Sequence, residues 1–168
     1  APRTVLAAAA RALQSDVLGY TVALGVPALR VAIAAHYART YGLEVSPERI
    51  AVTTGSSGAF LLAFIAAFDA GARVAVATPS YPCYRNILQG LDIEVVAVPC
   101  GPETRWELTP QLLDGLGRID GVIVASPSNP TGSMIDGPHL RSIAEWCRAA
   151  GAVLISDEIY HGIQYGAV

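Results

Sequence analysis

Four short apolar runs, RVAVAT (73–78), EVVAVP (94–99), GVIVAS (121–126) and AVLISD (152–157), recur along this chain with a helix-length segment between each pair. They are continuous rather than alternating in polarity, the pattern of strands buried on both faces. Strand and helix in strict alternation predict an α/β fold, a three-layer sandwich with a mostly parallel sheet and helices on both faces. A fifth run, RIAVTT (49–54), reads as a further strand ahead of the others. Helices are predicted over 27–42, opened by Pro27 and closed by Gly42, and over 57–69, 81–90, 109–116 and 136–151. The segment GAFLLAFIAAF (58–68) is apolar enough to predict a helix buried on most sides, and it is too short to span a bilayer. Residues 1–27 read as a helical and connecting segment, and 28–168 as part of the sheet domain.

Composition narrows the functional classes. With 52% hydrophobic and 15% charged residues over 168 positions, the chain can bury a sizeable core and is no disordered arm. A net charge of −3 gives no electrostatic reason to expect nucleic acid, and no segment predicts a membrane anchor. So few charges leave apolar surface that wants covering, which points to association. Cys83, Cys100 and Cys147 form no C-x-x-C pair, so reduced thiols in a cytoplasmic setting fit better than a disulfide framework or zinc site. His36, His139 and His161 lack metal-ligand spacing and read as solvated or capping residues; no metal is expected. All 11 basic residues are arginine, so no lysine chemistry can occur within these 168 residues.

Ligands of open α/β sheets bind beyond the carboxyl ends of the strands, so the residues after each run carry the functional signal. They are TGSSGA (54–59), PSYP (79–82), PSNPTG (127–132) and DEIYHG (157–162). Gly55-Ser56-Ser57-Gly58 joins a strand to a helix, where backbone N–H groups converge on an anion such as a phosphate; the same run also serves as an ordinary serine-capped helix start. It lacks both the G-x-G-x-x-G spacing and the G-K-[ST] ending of nucleotide loops. Tyr81, between Ser80 and Pro82, makes a stiff aromatic surface, and Ser128-Asn129-Pro130-Thr131-Gly132 is a turn rich in donors. Asp157 ends an apolar run, where a carboxylate either caps a helix or meets a buried cation.

The order Y-x(4)-G-x-P (from Tyr20), T-G-S-S-G, P-S-Y-P, S-N-P-T-G and S-D-E-I-Y resembles the pyridoxal-phosphate-dependent aminotransferases of classes I and II, with the aspartate aminotransferase fold. The resemblance runs from about residue 18 to the last residue and makes 28–168 part of the large coenzyme-binding domain. It implies that Asp157 pairs with the protonated pyridine nitrogen, that Tyr160 and Asn129 donate to the ring's phenolic oxygen, and that Tyr81 stacks on the ring. It implies a phosphate on Ser56 and Ser57, and a homodimer in which Tyr20 reaches the neighbouring subunit's phosphate. The substrates implied are an amino acid and a 2-oxo acid. The family's Schiff-base lysine and substrate-binding arginines follow the D-E-x-Y strand, so no catalytic residue of that kind is expected here and the chain reads as an incomplete, inactive piece of a larger enzyme.

Other readings use the same residues differently. A C–S lyase, a decarboxylase or a cyclopropane-forming synthase shares the fold, and a transcription regulator can carry it as a coenzyme-sensing module. A nucleotide-binding domain leaves Asn129, Asp157 and Tyr160 without a joint purpose.

Overall fold

The computed structural model describes residues 1–163 and residue 165. The chain divides into two compact units, Ala1–Thr53 and Thr54–Val168.

The first unit contains α1 (Arg3–Ser15), α2 (Pro27–Tyr41) and a single 3-10 turn, Pro47–Arg49. Pro27 takes the first turn of α2, where its missing N–H costs nothing, and Gly42 closes the helix at φ 66. Arg30 Nε donates to the Pro47 carbonyl at 2.9 Å, and Val52 N donates to Leu24 O at 3.0 Å. Gly25, at φ 97, lets the backbone pass Val52, because a Cβ there would lie 2.6 Å from the valine Cβ. No residue of this unit is buried within the chain, and Val5, Leu6, Leu13, Val17 and Leu18 are all exposed.

The second unit is the sandwich. Its elements run α3 (Gly55–Ala67), β1 (Arg73–Thr78), α4 (Pro82–Gly90), β2 (Glu94–Pro99), α5 (Pro110–Asp114), β3 (Gly121–Ala125), α6 (Gly137–Ala150) and β4 (Val153–Asp157). All strand pairs are parallel, in the order β2-β1-β3-β4. The connection from β1 to β2 runs one way along the sheet, and those to β3 and β4 run the other. Right-handed crossovers must then use opposite faces for the two directions. The packing obeys this rule. Val74, Val76 and Ile123 point into a core with Phe60, Phe64, Tyr84 and Leu88 from α3 and α4 and with Phe68, the C-cap residue of α3. Their sequence neighbours Ala75, Val122 and Val124 point the other way, to Leu113, Ile143 and Cys147 of α5 and α6. That period-two split is why both faces of each strand had to be apolar. At the start of β3, Gly121 admits the Phe68 ring, which a Cβ would overlap.

Two expectations are corrected here. Residues 49–54 do not form a strand: the end of the 3-10 turn and an extended, unladdered run occupy them, and the sheet of the described residues has four members. An apolar run becomes a strand only within a hydrogen-bonded ladder. Helix α3 buries Phe60 and Phe64 but exposes Leu61, Leu62 and Ile65, so it is covered on one side and not on most.

Candidate functional site

Reversal of connection direction between β1 and β3 opens a crevice at the carboxyl ends of the strands. A cavity of about 260 Å³ lies there, lined by Ser56, Tyr81, Tyr84, Ala125, Pro127, Asn129, Asp157, Ile159 and Tyr160. Five of the seven residues singled out by sequence therefore meet around one space. Ser57 lies one position further along the first turn of α3, with its Oγ 3.4 Å from Cys83 Sγ. Tyr20 belongs to the first unit, is exposed, and is not among the residues lining this cavity.

Each wall has a local cause. Thr54, at the N-cap of α3, makes no side-chain cap, and the helix start directs the positive end of its dipole outward. Tyr81 is the N-cap residue of α4 with Pro82 at N1, and its ring meets Tyr84 edge-on at 5.6 Å. The loop carrying Asn129 closes on itself: Ser128 N donates to Ser133 O at 2.9 Å, Gly132 N to Ser128 O at 2.8 Å, and Ile135 N to Ser126 Oγ at 3.0 Å. Gly132 sits at φ 69, the left-handed conformation this turn requires. The Ser126-Pro127 and Asn129-Pro130 peptide bonds in this loop are cis.

Asp157 is the last residue of β4 and is held from two sides. Tyr84 Oη donates to Oδ2, and Ile159 N donates to Oδ1 at 3.1 Å. The second contact turns the chain after the strand without starting a helix, so the cap reading of Asp157 becomes a local turn rather than a helix N-cap. Glu158 is exposed and accepts from Ser156 Oγ at 3.0 Å. Burial first, and then the neighbouring Asp157 carboxylate, push the Tyr84 phenol far above its ordinary range, so Tyr84 stays protonated as the donor.

Sequence reading missed Tyr84. Its only trace was the Tyr81-x-x-Tyr84 spacing, which puts both rings on one side of a helix start. It also placed His139 wrongly. The His139 backbone N–H is capped by Asp136 Oδ1 at 2.9 Å, but its half-buried ring sits against Glu107, with Nδ1 3.1 Å from Oε2. Among the described residues, no group of three or more His, Cys, Asp or Glu is arranged to hold a metal, and no helix is long and apolar enough to cross a membrane.

This geometry has counterparts in known proteins. The family model for aminotransferase class I and II matches residues 1–168. A valine–pyruvate aminotransferase of Mycobacterium tuberculosis is 58% identical over 98% of this chain and 43% of its own length. An aspartate aminotransferase of Geobacillus stearothermophilus is 33% identical over 98% of this chain and 42% of its own length. The crystal structure of an aminotransferase from Mycobacterium tuberculosis superposes with TM-score 0.97 at 57% identity, over 100% of this chain and 46% of that one. An aspartate aminotransferase from Thermus thermophilus, solved with maleate, gives TM-score 0.93 at 33% identity, over 99% of this chain and 44% of that one. The chain thus spans less than half the length of the relatives it matches. It belongs to the class I and II aminotransferases and has the aspartate aminotransferase fold.

Proposed function

We propose that this chain builds the coenzyme pocket of a pyridoxal-phosphate-dependent aminotransferase, which moves an amino group between an amino acid and a 2-oxo acid. The observation that carries this reading is Asp157, a carboxylate held on both oxygens at a strand end and facing an aromatic-walled cavity. The donor set fits the coenzyme: an anion for a ring cation, aromatic carbon for its face, amide and phenol donors for its oxygen, and a helix start for its phosphate.

When bound, the coenzyme supplies an electron-withdrawing ring. Asp157 would hold the charge of the ring nitrogen, with Tyr84 and the Ile159 amide fixing the carboxylate's orientation. Asn129 and Tyr160 would donate to the phenolic oxygen, and Tyr81 would cover the ring. Ser56, Ser57 and the first-turn amides of α3 would take the phosphate. In a homodimer, Tyr20 would reach the other subunit's phosphate. The exposed apolar side chains of α1 and the segment after it support such an assembly.

The lysine and substrate-binding arginines belong, on this reading, to sequence outside these 168 residues. Residues 28–168 are then part of the large coenzyme domain and 1–27 a connecting segment, in a cytoplasmic enzyme. The 58% identity to a valine–pyruvate aminotransferase makes valine with pyruvate the first substrate pair to test. The full-length protein should bind pyridoxal phosphate with a visible absorbance band and form alanine from that pair. Absence of both the band and amino transfer to any common 2-oxo acid would overturn the reading.

A further inference from the structure

Behind the coenzyme cavity lies a second, smaller void. Its volume of about 20 Å³ is room for one water molecule, and its lining includes Glu107, Tyr84, Ser80, Ser128 and Ser133. Tyr84 also lines the larger cavity, so the two spaces share a wall.

Glu107 is the buried charged residue of the core, 4% exposed. One of its oxygens is well served: Oε2 lies 3.1 Å from His139 Nδ1 and 3.4 Å from Arg105 Nη2. The other, Oε1, is buried with no hydrogen-bond partner among the described residues. His139 Nε2 sits 2.7 Å from the Leu108 carbonyl, which only accepts, so Nε2 carries a proton. These contacts serve Oε2 and leave Oε1 desolvated. An unpaired carboxyl oxygen in the interior is costly, and a one-water void at its side is the arrangement that relieves it.

The structure assigns, in our reading, a single internal water to this void, bound by Glu107 Oε1 and shared with the polar groups of Tyr84 and the 126–135 loop. Glu107 is thereby a positioning residue for the loop that carries Asn129. Its turn already touches the loop from outside the void: Arg105 Nη2 donates to Met134 O at 3.4 Å and to Asp136 Oδ2 at 3.5 Å. The water adds a tie from within, between the segment after β2 and the loop after β3.

The water itself does not depend on the proposed function; the positioning of Asn129 for a coenzyme rests on it. The test uses the full-length protein. A crystal structure of the wild type at better than about 1.5 Å resolution should show one ordered water within hydrogen-bond distance of Glu107 Oε1. A dry void, or a protein donor filling that place, overturns the assignment. Coenzyme affinity of the apoprotein is then measured for wild type, Glu107→Leu and Glu107→Gln. Leucine should weaken binding about three- to tenfold, the worth of one hydrogen bond, and glutamine should restore it to within about twofold. Equal weakening in both variants points to general damage and overturns the positioning role, as does unchanged affinity in Glu107→Leu. A wild type that binds no pyridoxal phosphate sinks the coenzyme reading instead, and the water is still decided by the wild-type structure, whether or not either variant folds.

Discussion

Tyr84 and Asp157 lie 73 positions apart in sequence and share a hydrogen bond in which the phenol donates to Oδ2. Tyr84 comes from the helix after β1 and Asp157 from the end of β4, so the contact spans the sheet order β1-β3-β4. Tyr84→Phe removes this donor while keeping the ring that meets Phe60 at 5.0 Å. Stability of the full-length protein should fall by about 1 kcal/mol, while pyridoxal phosphate affinity falls about fivefold. Denaturant melts and coenzyme titration separate the two effects. Wild-type affinity in the variant would show that Asp157 needs no orienting partner.

The core under the site is aromatic. Phe64 is fully buried and packs on Phe60 and Phe68 at 5.8 and 6.2 Å between ring centres. Phe64→Ala should cost about 3–5 kcal/mol, through lost burial and the cavity left behind. Leu62→Ala, two positions earlier and 58% exposed within this chain, should cost far less unless another part of the protein covers it. A Leu62→Ala loss as large as that of Phe64→Ala would show that α3 is covered on its outer side as well.

Much of this was written in the chain order. The runs 73–78 and 94–99 became β1 and β2 residue for residue, because continuous apolar hexamers between helices have few other ways to be buried. Ser56, Tyr81, Asn129, Asp157 and Tyr160 were legible because each follows a strand or opens a helix, and the sheet gathers such positions at one end. What escaped depends on distant partners. Residues 49–54 have the composition of a strand and no ladder to join among those described. Tyr84 is a site residue only because Asp157 lies beside it, and Glu107 looks like a surface acid until Leu108 and His139 enclose it.

Asp120 gives a pH signature at the opposite end of the sheet. Its carboxylate accepts from Arg73 N at 2.9 Å and from Arg118 Nε at 2.9 Å, and these bonds, the backbone one foremost, hold its pKa below the ordinary 3.8. A depressed folded-state value contributes stability that is present above the unfolded pKa and lost as pH falls through the folded one. Asp120→Asn should therefore destabilise the protein by about 1 kcal/mol at neutral pH, with the gap to wild type closing below about pH 4. Thermal melts across pH 3–7 check it; a gap that stays constant would mean the charge is irrelevant.

Because these 168 residues contain no lysine, borohydride reduction of the coenzyme-loaded full-length protein should leave its label elsewhere in the sequence. Peptide mapping by mass spectrometry reads the position. A pyridoxyl group on any residue of this stretch would contradict the assignment of the amine to another segment.

The most direct test of the account concerns the charge on Asp157. Asp157→Asn keeps the size of the side chain and an oxygen for Tyr84, but it cannot carry the negative charge the coenzyme's ring nitrogen is expected to meet. Measured with valine and pyruvate on the full-length protein, kcat/KM should fall at least about 100-fold while the fold is kept, the acceptor lost to Ile159 N costing about 1 kcal/mol of stability. Turnover in Asp157→Asn equal to that of the wild type would contradict the claim that this strand-end carboxylate is the coenzyme's charge partner.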